Sequence, residues 1–453
     1  MTEGSVIKHV LQMSAFIGVS MLIQTLYLLA DLYWVGSLGK EAIAAVGLSG
    51  NLMMVVLALT QALGVGTTTL ISHATGRKDQ PQAELAFNQS FILSLLVGIG
   101  LGVCSFALRG QYCRWLSADA ATAELAEAYL LWFIPALVLQ FPMTALGSAL
   151  RATGIMKPIV AIQTFTVLIN IVLAPLLIFG IGFPKLGVAG AALATFVSVV
   201  IANVLTVLYY ERNYRYLRFR LPLLKPQIKT WWAMLRIGLP AGGEFALMAV
   251  YIVVVYGIIR NFGAAAQAGF GVGARVMQAM FLPVVAIAFA VAPVVGQNFG
   301  GRRAERVRSS YYSALGLTSS VMVLLTIASQ LAPEALIRLF SKDGSVIAFG
   351  SEYLRIVSLN FLAAGIVFTS SSVFQGIGNT LPPLASSMTR LVLFVLPATM
   401  LSRTPGFQIR HVWYLSVASI LFQACANLLL LRREFRRKLT FDETSLSGQP
   451  AMP

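Results

Sequence analysis

Charge is scarce in this chain. Only 11% of its 453 residues are Asp, Glu, Lys or Arg, where an ordinary soluble domain carries about 25%. Histidine and cysteine are scarcer still, with three of each. His9, His73 and His411 are scattered, and Cys104, Cys113 and Cys425 have neither metal-ligand nor redox spacing, so neither a zinc site nor Cys-x-x-Cys chemistry is indicated. Cys104 and Cys425 fall within apolar stretches and read as packing residues. The sequence also lacks His-Glu-x-x-His, Gly-x-Ser-x-Gly and any cluster of Asp, His or Cys at the ends of its apolar runs, which argues against an enzyme. The GFGVG at 269–273 does not complete a dinucleotide fingerprint and lies in an apolar stretch, so it reads as a helix-packing surface.

What the chain does have is oil: 57% hydrophobic residues and a mean hydropathy of +0.79. A helix needs about 20 apolar residues to cross the hydrocarbon. Twelve such runs are predicted, near 10–35, 47–72, 88–108, 128–150, 159–182 and 187–210, then near 236–260, 267–295, 311–332, 353–375, 384–402 and 411–431. The fold class is therefore an all-α polytopic membrane protein. The first run outlasts a signal peptide's apolar core, contains an acid and lacks a small-residue cleavage site, so it reads as a retained helix.

The net charge of +16 would suggest nucleic acid in a soluble protein, but its placement points to topology. With both termini on one side, that side collects 21 of the 33 Lys and Arg residues and the other side 10, leaving Arg275 and Arg390 inside spans. The bias predicts both termini in the cytoplasm. The stretch after Thr440 is polar and predicted disordered.

The halves repeat at an offset of 224 residues. Gly18 falls on Gly242, Gly39 on Gly263, Gly47 on Gly271, Gly76 on Gly300, Gly154 on Gly378 and Pro158 on Pro382. Matched Gly and Pro mark shared backbone needs rather than shared oiliness. Six spans per half start each copy on the same side, a parallel repeat that is a transporter design. The expected domains are a first lobe over 1–210, a basic cytoplasmic linker over 211–236 ending in a short interfacial helix with Trp231 and Trp232, a second lobe over 237–431 and a basic, then disordered, tail over 432–453.

Two acids lie well inside predicted spans, Asp31 and Glu244. Each costs on the order of 3 kcal/mol to insert and marks a functional site by default. Stepping back from Asp31 at helical spacing gives Tyr27, Gln24 and Ser20, a polar stripe on one face. Asp31 reads as a proton or cation site facing a cavity, about 8 Å inside the outer end of its helix. The other reading is a capping or interfacial acid. Glu244, with Met248 and Tyr251 on its face, reads either as a second ion site or as half of a structural charge pair with Arg275, helped by Arg390. Tyr27, Tyr33, Trp34, Phe245, Met248, Tyr251, Met277, Gln278 and Met280 are soft or aromatic candidates for substrate contact, together with Gln24; lipid-facing or core packing is the alternative for each. Pro142, Pro175, Pro283, Pro293 and Pro397 mark hinges or ordinary kinks. The first span has no proline, Phe16 standing where the repeat has Pro240, so any bend would pivot at Gly18.

The segment DLYWVGSLGKEAIAAVGLSGN (31–51) resembles the first-helix signature of the multidrug and toxic compound extrusion (MATE) family. GVGTTTLISHATGRKD (64–79), RATGIMKPI (151–159), NIVLAPLLIFG (170–180), LGVAGAALAT (186–195), GQNFGGRRAERV (296–307) and FQGIGNTLPP (374–383) agree in order and spacing, so the resemblance covers nearly the whole chain. It implies two six-helix lobes in a V and a drug/cation antiporter that exports organic, often cationic, compounds in exchange for H+ or Na+. It also implies that Asp31 couples the ion and that Asn170 and Thr195 line the same pocket. Ala174 stands where many relatives carry a second acid, which weakens a two-carboxylate sodium site and favours protons.

The alternative is a flippase for a lipid-linked oligosaccharide, whose cavity should present several cations; only Arg275 and Arg390 qualify here. The expected setting is the inner membrane of a bacterium. The expected partners are drug-like small molecules and the bilayer, without nucleic acid, cofactor or a required second copy.

Overall fold

In a computed structural model, residues 1–182 and 184–441 are described; the predicted disorder after Thr440 falls almost entirely outside them. No β-strand occurs among the described residues. The first half folds as α1 (Val6–Gly36), α2 (Lys40–Gly76), α3 (Gln80–Leu116), α4 (Ala120–Thr153), α5 (Lys157–Phe179) and α6 (Val188–Arg212). The second folds as α7 (Ile228–Ile259), α8 (Ala264–Gly300), α9 (Ala304–Leu331), α10 (Pro333–Arg338), α11 (Gly344–Val357), α12 (Phe361–Ile377), α13 (Leu381–Leu401) and α14 (Ile409–Lys438). With α11 and α12 taken as one crossing, twelve segments are long and apolar enough to span a membrane.

The repeat governs helix boundaries. Shifting α2 by 224 residues gives Ala264–Gly300, the bounds of α8, and shifting α4 gives the outer bounds of α11 and α12. The caps repeat as well. Asp119 accepts from the Thr122 amide at 2.7 Å to start α4, and its repeat-mate Asp343 accepts from the Ser345 and Val346 amides to start α11. These hydrogen bonds hold both carboxyls below the usual aspartate range.

Three sequence expectations need correction. The run at 353–375 is not one helix: a 3-10 turn at Ser358–Asn360 parts α11 from α12. The first half keeps α4 continuous at that level, with Pro135 in the helix. The helices also outrun the apolar cores, which draws Glu84 and Glu434 into α3 and α14 as buried acids. Trp231 and Trp232 ride on the first turns of α7 rather than on a separate interfacial helix, Trp231 packing against buried α2, α3 and α4 side chains.

By internal packing the chain divides into two compact units. The first comprises Gln12–Thr75 and Asp79–Ala246; the second comprises Met1–Leu11, Gly76–Lys78 and the chain from Leu247. The division thus falls inside α7, ten residues beyond the expected boundary, and inside α1. Gly238 and Gly242 explain the early part of α7. A Cβ at Gly238 would sit 1.9 Å from the Ala62 carbonyl oxygen, and one at Gly242 2.7 Å from that of Ala58. This Gly-x-x-x-Gly face lets α7 lie directly on the α2 backbone.

The segments that lead into α7 and α1 are tied down in mirrored fashion. In the first unit, Gln89 Nε2 donates to the carbonyls of Leu223 (2.6 Å) and Lys225 (2.7 Å), Asn88 donates to that of Arg218, and Glu84 pairs with Arg220 at 2.8 Å. In the second unit, Arg306 of α9 donates to the carbonyls of Gly4 (3.0 Å) and Met1 (3.2 Å), and Arg303 to that of Thr2. So α3 of the first half holds the segment before α7, while α9 of the second half holds the segment before α1.

The GFGVG stretch packs as expected. A Cβ at Gly269 would meet Phe349, and one at Gly273 would meet Tyr353, so these glycines bring α8 against α11. Cys113 is the buried cysteine; Cys104 and Cys425 are exposed, contrary to their reading as packing residues, and all three are free. Pro142, Pro175, Pro283, Pro293 and Pro397 lie inside helices that continue through them.

Candidate functional site

The polar stripe of α1 meets α5 and α6 in the first unit. Tyr27 Oη lies 2.8 Å from Thr195 Oγ1, and Thr195 in turn donates to the Ala191 carbonyl at 3.1 Å. Threonine has one hydroxyl proton, so Tyr27 is the donor to Thr195. Gln163 of α5 reaches the Ser20 carbonyl at 3.5 Å, and about four turns nearer the outer end Trp34 lies edge-on to Phe179. Helices α1 and α5 cross in the same direction, so these contacts fix a nearly constant offset between them. That offset places Asn170 level with Tyr27 and Ala174 level with Asp31. The repeat agrees: Phe394, the mate of Asn170, lies 4.7 Å from Tyr251, the mate of Tyr27.

Asp31 is 8% exposed, and its Oδ1 has no hydrogen-bond partner. Asn170 is buried with neither Oδ1 nor Nδ2 partnered, and Ser20 Oγ is likewise unpartnered. Buried polar groups are nearly always satisfied, and leaving one unmade costs about 1–3 kcal/mol. A carboxylate, an amide and a hydroxyl thus stay unpartnered on α1 and on the α5 turn level with it. Beside Asp31, Val35 and Ala174 share one apolar cluster with Tyr129, Ala191 and Ala194. Tyr129 of α4 and Tyr27 both lie within electrostatic reach of Asp31. Sequence reasoning missed Tyr129, because a tyrosine within an apolar run carries no distinguishing signal.

The other sequence candidates are dispersed. Gln24 is exposed, Tyr33 is 71% exposed, and Trp34 is half-buried between Tyr33 and Phe179. Met248, Arg275 and Gln278 are exposed, while Phe245 is half-buried. Met277 accepts from Tyr353 and Met280 from Ser329, so both serve packing in the second unit. Glu244, the repeat-mate of Ser20, is half-buried and belongs to the first unit, whereas Arg275 and Arg390 belong to the second.

Arg390 has other company. Its guanidinium lies 5.2 Å from the centre of the Tyr251 ring, and Nη1 is 3.4 Å from Gln423 Oε1. Tyr251 bonds Ser416 at 2.9 Å, and Gln423 donates to Ser387 at 2.8 Å. On α14, Ser416, Ser419, Gln423 and Asn427 are all buried. Their three- and four-residue spacing is a polar stripe legible in the sequence, overshadowed there by the formal charges. No cluster of three metal-ligating side chains occurs among the described residues.

Comparison with known proteins agrees with this architecture. The MatE family model matches residues 17–176 and 240–401, one copy per half. The chain is 28% identical to the probable multidrug resistance protein YpnP of Bacillus subtilis, over 95% of this chain and 96% of that protein. It is 26% identical to a protein named FAD transporter of Shewanella oneidensis, over 82% and 83% of the two chains. Among solved structures, an outward-facing multidrug resistance MATE family transporter of the MOP superfamily superimposes with a TM-score of 0.88 at 26% identity, covering 97% of both chains.

Proposed function

As the chain belongs to the MatE family of multidrug efflux transporters, we propose that it is a secondary antiporter. It exports organic cations across the inner membrane of a bacterium in exchange for protons, with both termini in the cytoplasm. The observation that carries this reading is Asp31, a buried carboxylate with an unpartnered oxygen in a membrane helix, next to Tyr27, Thr195 and the unsatisfied Asn170. A carboxyl group can hold either a proton or a cationic group. Competition for that one position couples the two reciprocally.

Ala174 leaves Asp31 as the one acid at its level on α1 and α5, which supports protons over sodium. Asn170 and Thr195 line the same pocket in this reading, and the Tyr27–Thr195 bond ties α1 to α6 one turn from Asp31. Glu244 is retained as a second ion-coupling residue, on α7. Neither nucleic acid nor a second copy is needed.

The test is transport in vesicles with an imposed proton or sodium gradient. Wild type should export in response to the proton gradient, and Asp31→Asn should lose at least about tenfold of that gradient-driven rate, the scale of a 1–3 kcal/mol coupling. Full proton-driven efflux by Asp31→Asn would overturn the assignment. A response to sodium alone would replace the ion.

A further inference from the structure

Among its described residues, the second unit holds a cation, Arg390, with no ion-pair partner. Arg390 is the tenth of the 21 residues of α13, about 14 Å from the helix start at the helical rise, which puts it near mid-membrane. A guanidinium presents five N–H donors and cannot shed its charge. Arg390 uses a single hydrogen bond, to a neutral amide oxygen at 3.4 Å, and one ring face, Tyr251. Its Nε is buried with no partner, and no carboxylate lies within ion-pairing distance of it among the described residues. Desolvated charges are ordinarily paired, because an unpaired one costs several kcal/mol.

The surroundings hold the guanidinium in place. Gln423 is fixed by Ser387, and the Tyr251 ring beneath it is fixed by Ser416. Asn360 Nδ2 also approaches Ser416, at 3.4 Å, while its Oδ1 stays open. The repeat-mate of Arg390 is Thr166, whose hydroxyl is spent on its own helix backbone. The cation is therefore an addition to the shared scaffold, not a requirement of it.

We propose that Arg390 is a substrate-binding residue that takes the carboxylate or phosphate of an aromatic compound, with the Tyr251–Gln423 platform orienting its fork. This rests on the transport reading and narrows its substrate class to organic cations that also bear an acidic group, the acid meeting Arg390. Carboxylates and phosphates both match the guanidinium fork bidentately, and such charge-assisted pairs are roughly twice as strong as neutral ones.

Binding to the purified full chain in detergent tests this by fluorescence polarisation, using a xanthene carboxylate dye against its methyl ester, and riboflavin against its monophosphate. Wild type should favour the acidic member of at least one pair by about tenfold or more, the responding pair telling carboxylate from phosphate. Arg390→Gln should erase that preference while still binding the uncharged member. Arg390→Lys, which keeps the charge but loses the fork, should fall between. An unchanged preference in Arg390→Gln overturns the proposal. So does the lack of any preference in wild type, a measurement that stands even if the variant fails to fold. Binding in detergent needs no gradient, so absent efflux in vesicles with the acid preference intact would strike the transport reading alone.

Discussion

Tyr27 and Tyr251 occupy equivalent positions in the two halves, and each hydroxyl bonds a hydroxyl on the last membrane helix of its half, Thr195 or Ser416. One turn along, the halves diverge. The first unit has Asp31, buried with an open oxygen; the second has Val255 in the same place, fully buried in an apolar cluster. Conversely the first unit has Thr166 where the second has Arg390. The duplication kept the backbone, caps and tyrosine ties and reassigned the ionisable groups. A shared fold thus carries a membrane-helix acid in one copy and a membrane-helix cation in the other.

The contrast can be broken most sharply at Asp31 and Val255. Asp31→Asn should remove proton-driven efflux with little loss of stability, since it replaces one polar group with another of like size. Val255→Asn should destabilise by about 1–3 kcal/mol, because it buries an amide in an apolar cluster, yet leave the proton dependence of any surviving efflux in place. Thermal unfolding and vesicle transport on both variants separate the two effects.

The tethers offer the next comparison. Glu84 is buried and its partner Arg220 about half exposed, so Arg220→Ala should cost about 1–2 kcal/mol after discounting for solvent screening. Arg308, the repeat-mate of Glu84, pairs with Glu305 on the surface. Arg308→Ala should fall within about 0.5 kcal/mol of wild type. Equal effects in a melting assay would mean that the linker tie contributes nothing special.

Tyr27→Phe and Tyr251→Phe should each cost about 1 kcal/mol, the net worth of a hydrogen bond. Only Tyr27→Phe should also move the pH profile of efflux, because its hydroxyl neighbours Asp31. The smallest effect belongs to the caps. Asp119 and Asp343 are held below the usual aspartate range in the folded chain. Their contribution is therefore complete above the unfolded pKa, near 4, and lost as pH falls through the lower folded value. Asp343→Ala should lower the melting temperature slightly at neutral pH, and the gap from wild type should close in strong acid.

The α14 stripe and Glu84 show where reading the sequence stopped short. Glu84 lies in helix beyond the apolar core that hydropathy locates. The α14 stripe lies inside such a core, at 411–431, and is overshadowed by the formal charges elsewhere. A window tuned to oil finds the segment that lipid requires and trims the polar turns that protein contacts stabilise. The 3-10 break at Ser358–Asn360 escaped for a related reason: nothing in the local sequence forbids helix there, whereas Pro135, at the matching level in the first half, sits in an unbroken one.

The sequence by itself determined the membrane class, the twelve crossings, the 224-residue repeat and Asp31 as the anomalous acid. Each follows from solvent and covalent structure: hydrocarbon demands long apolar helices, and glycine and proline register backbone constraints wherever they stand. Tertiary structure alone decided which polar atoms remain unsatisfied. It joined Tyr27 to Thr195, set Asn170 beside them, divided α7 at Ala246, and left Arg390 facing an amide and a ring instead of an acid. Such outcomes depend on rotation and register between helices far apart in the chain, where a few ångströms separate a satisfied group from an open one.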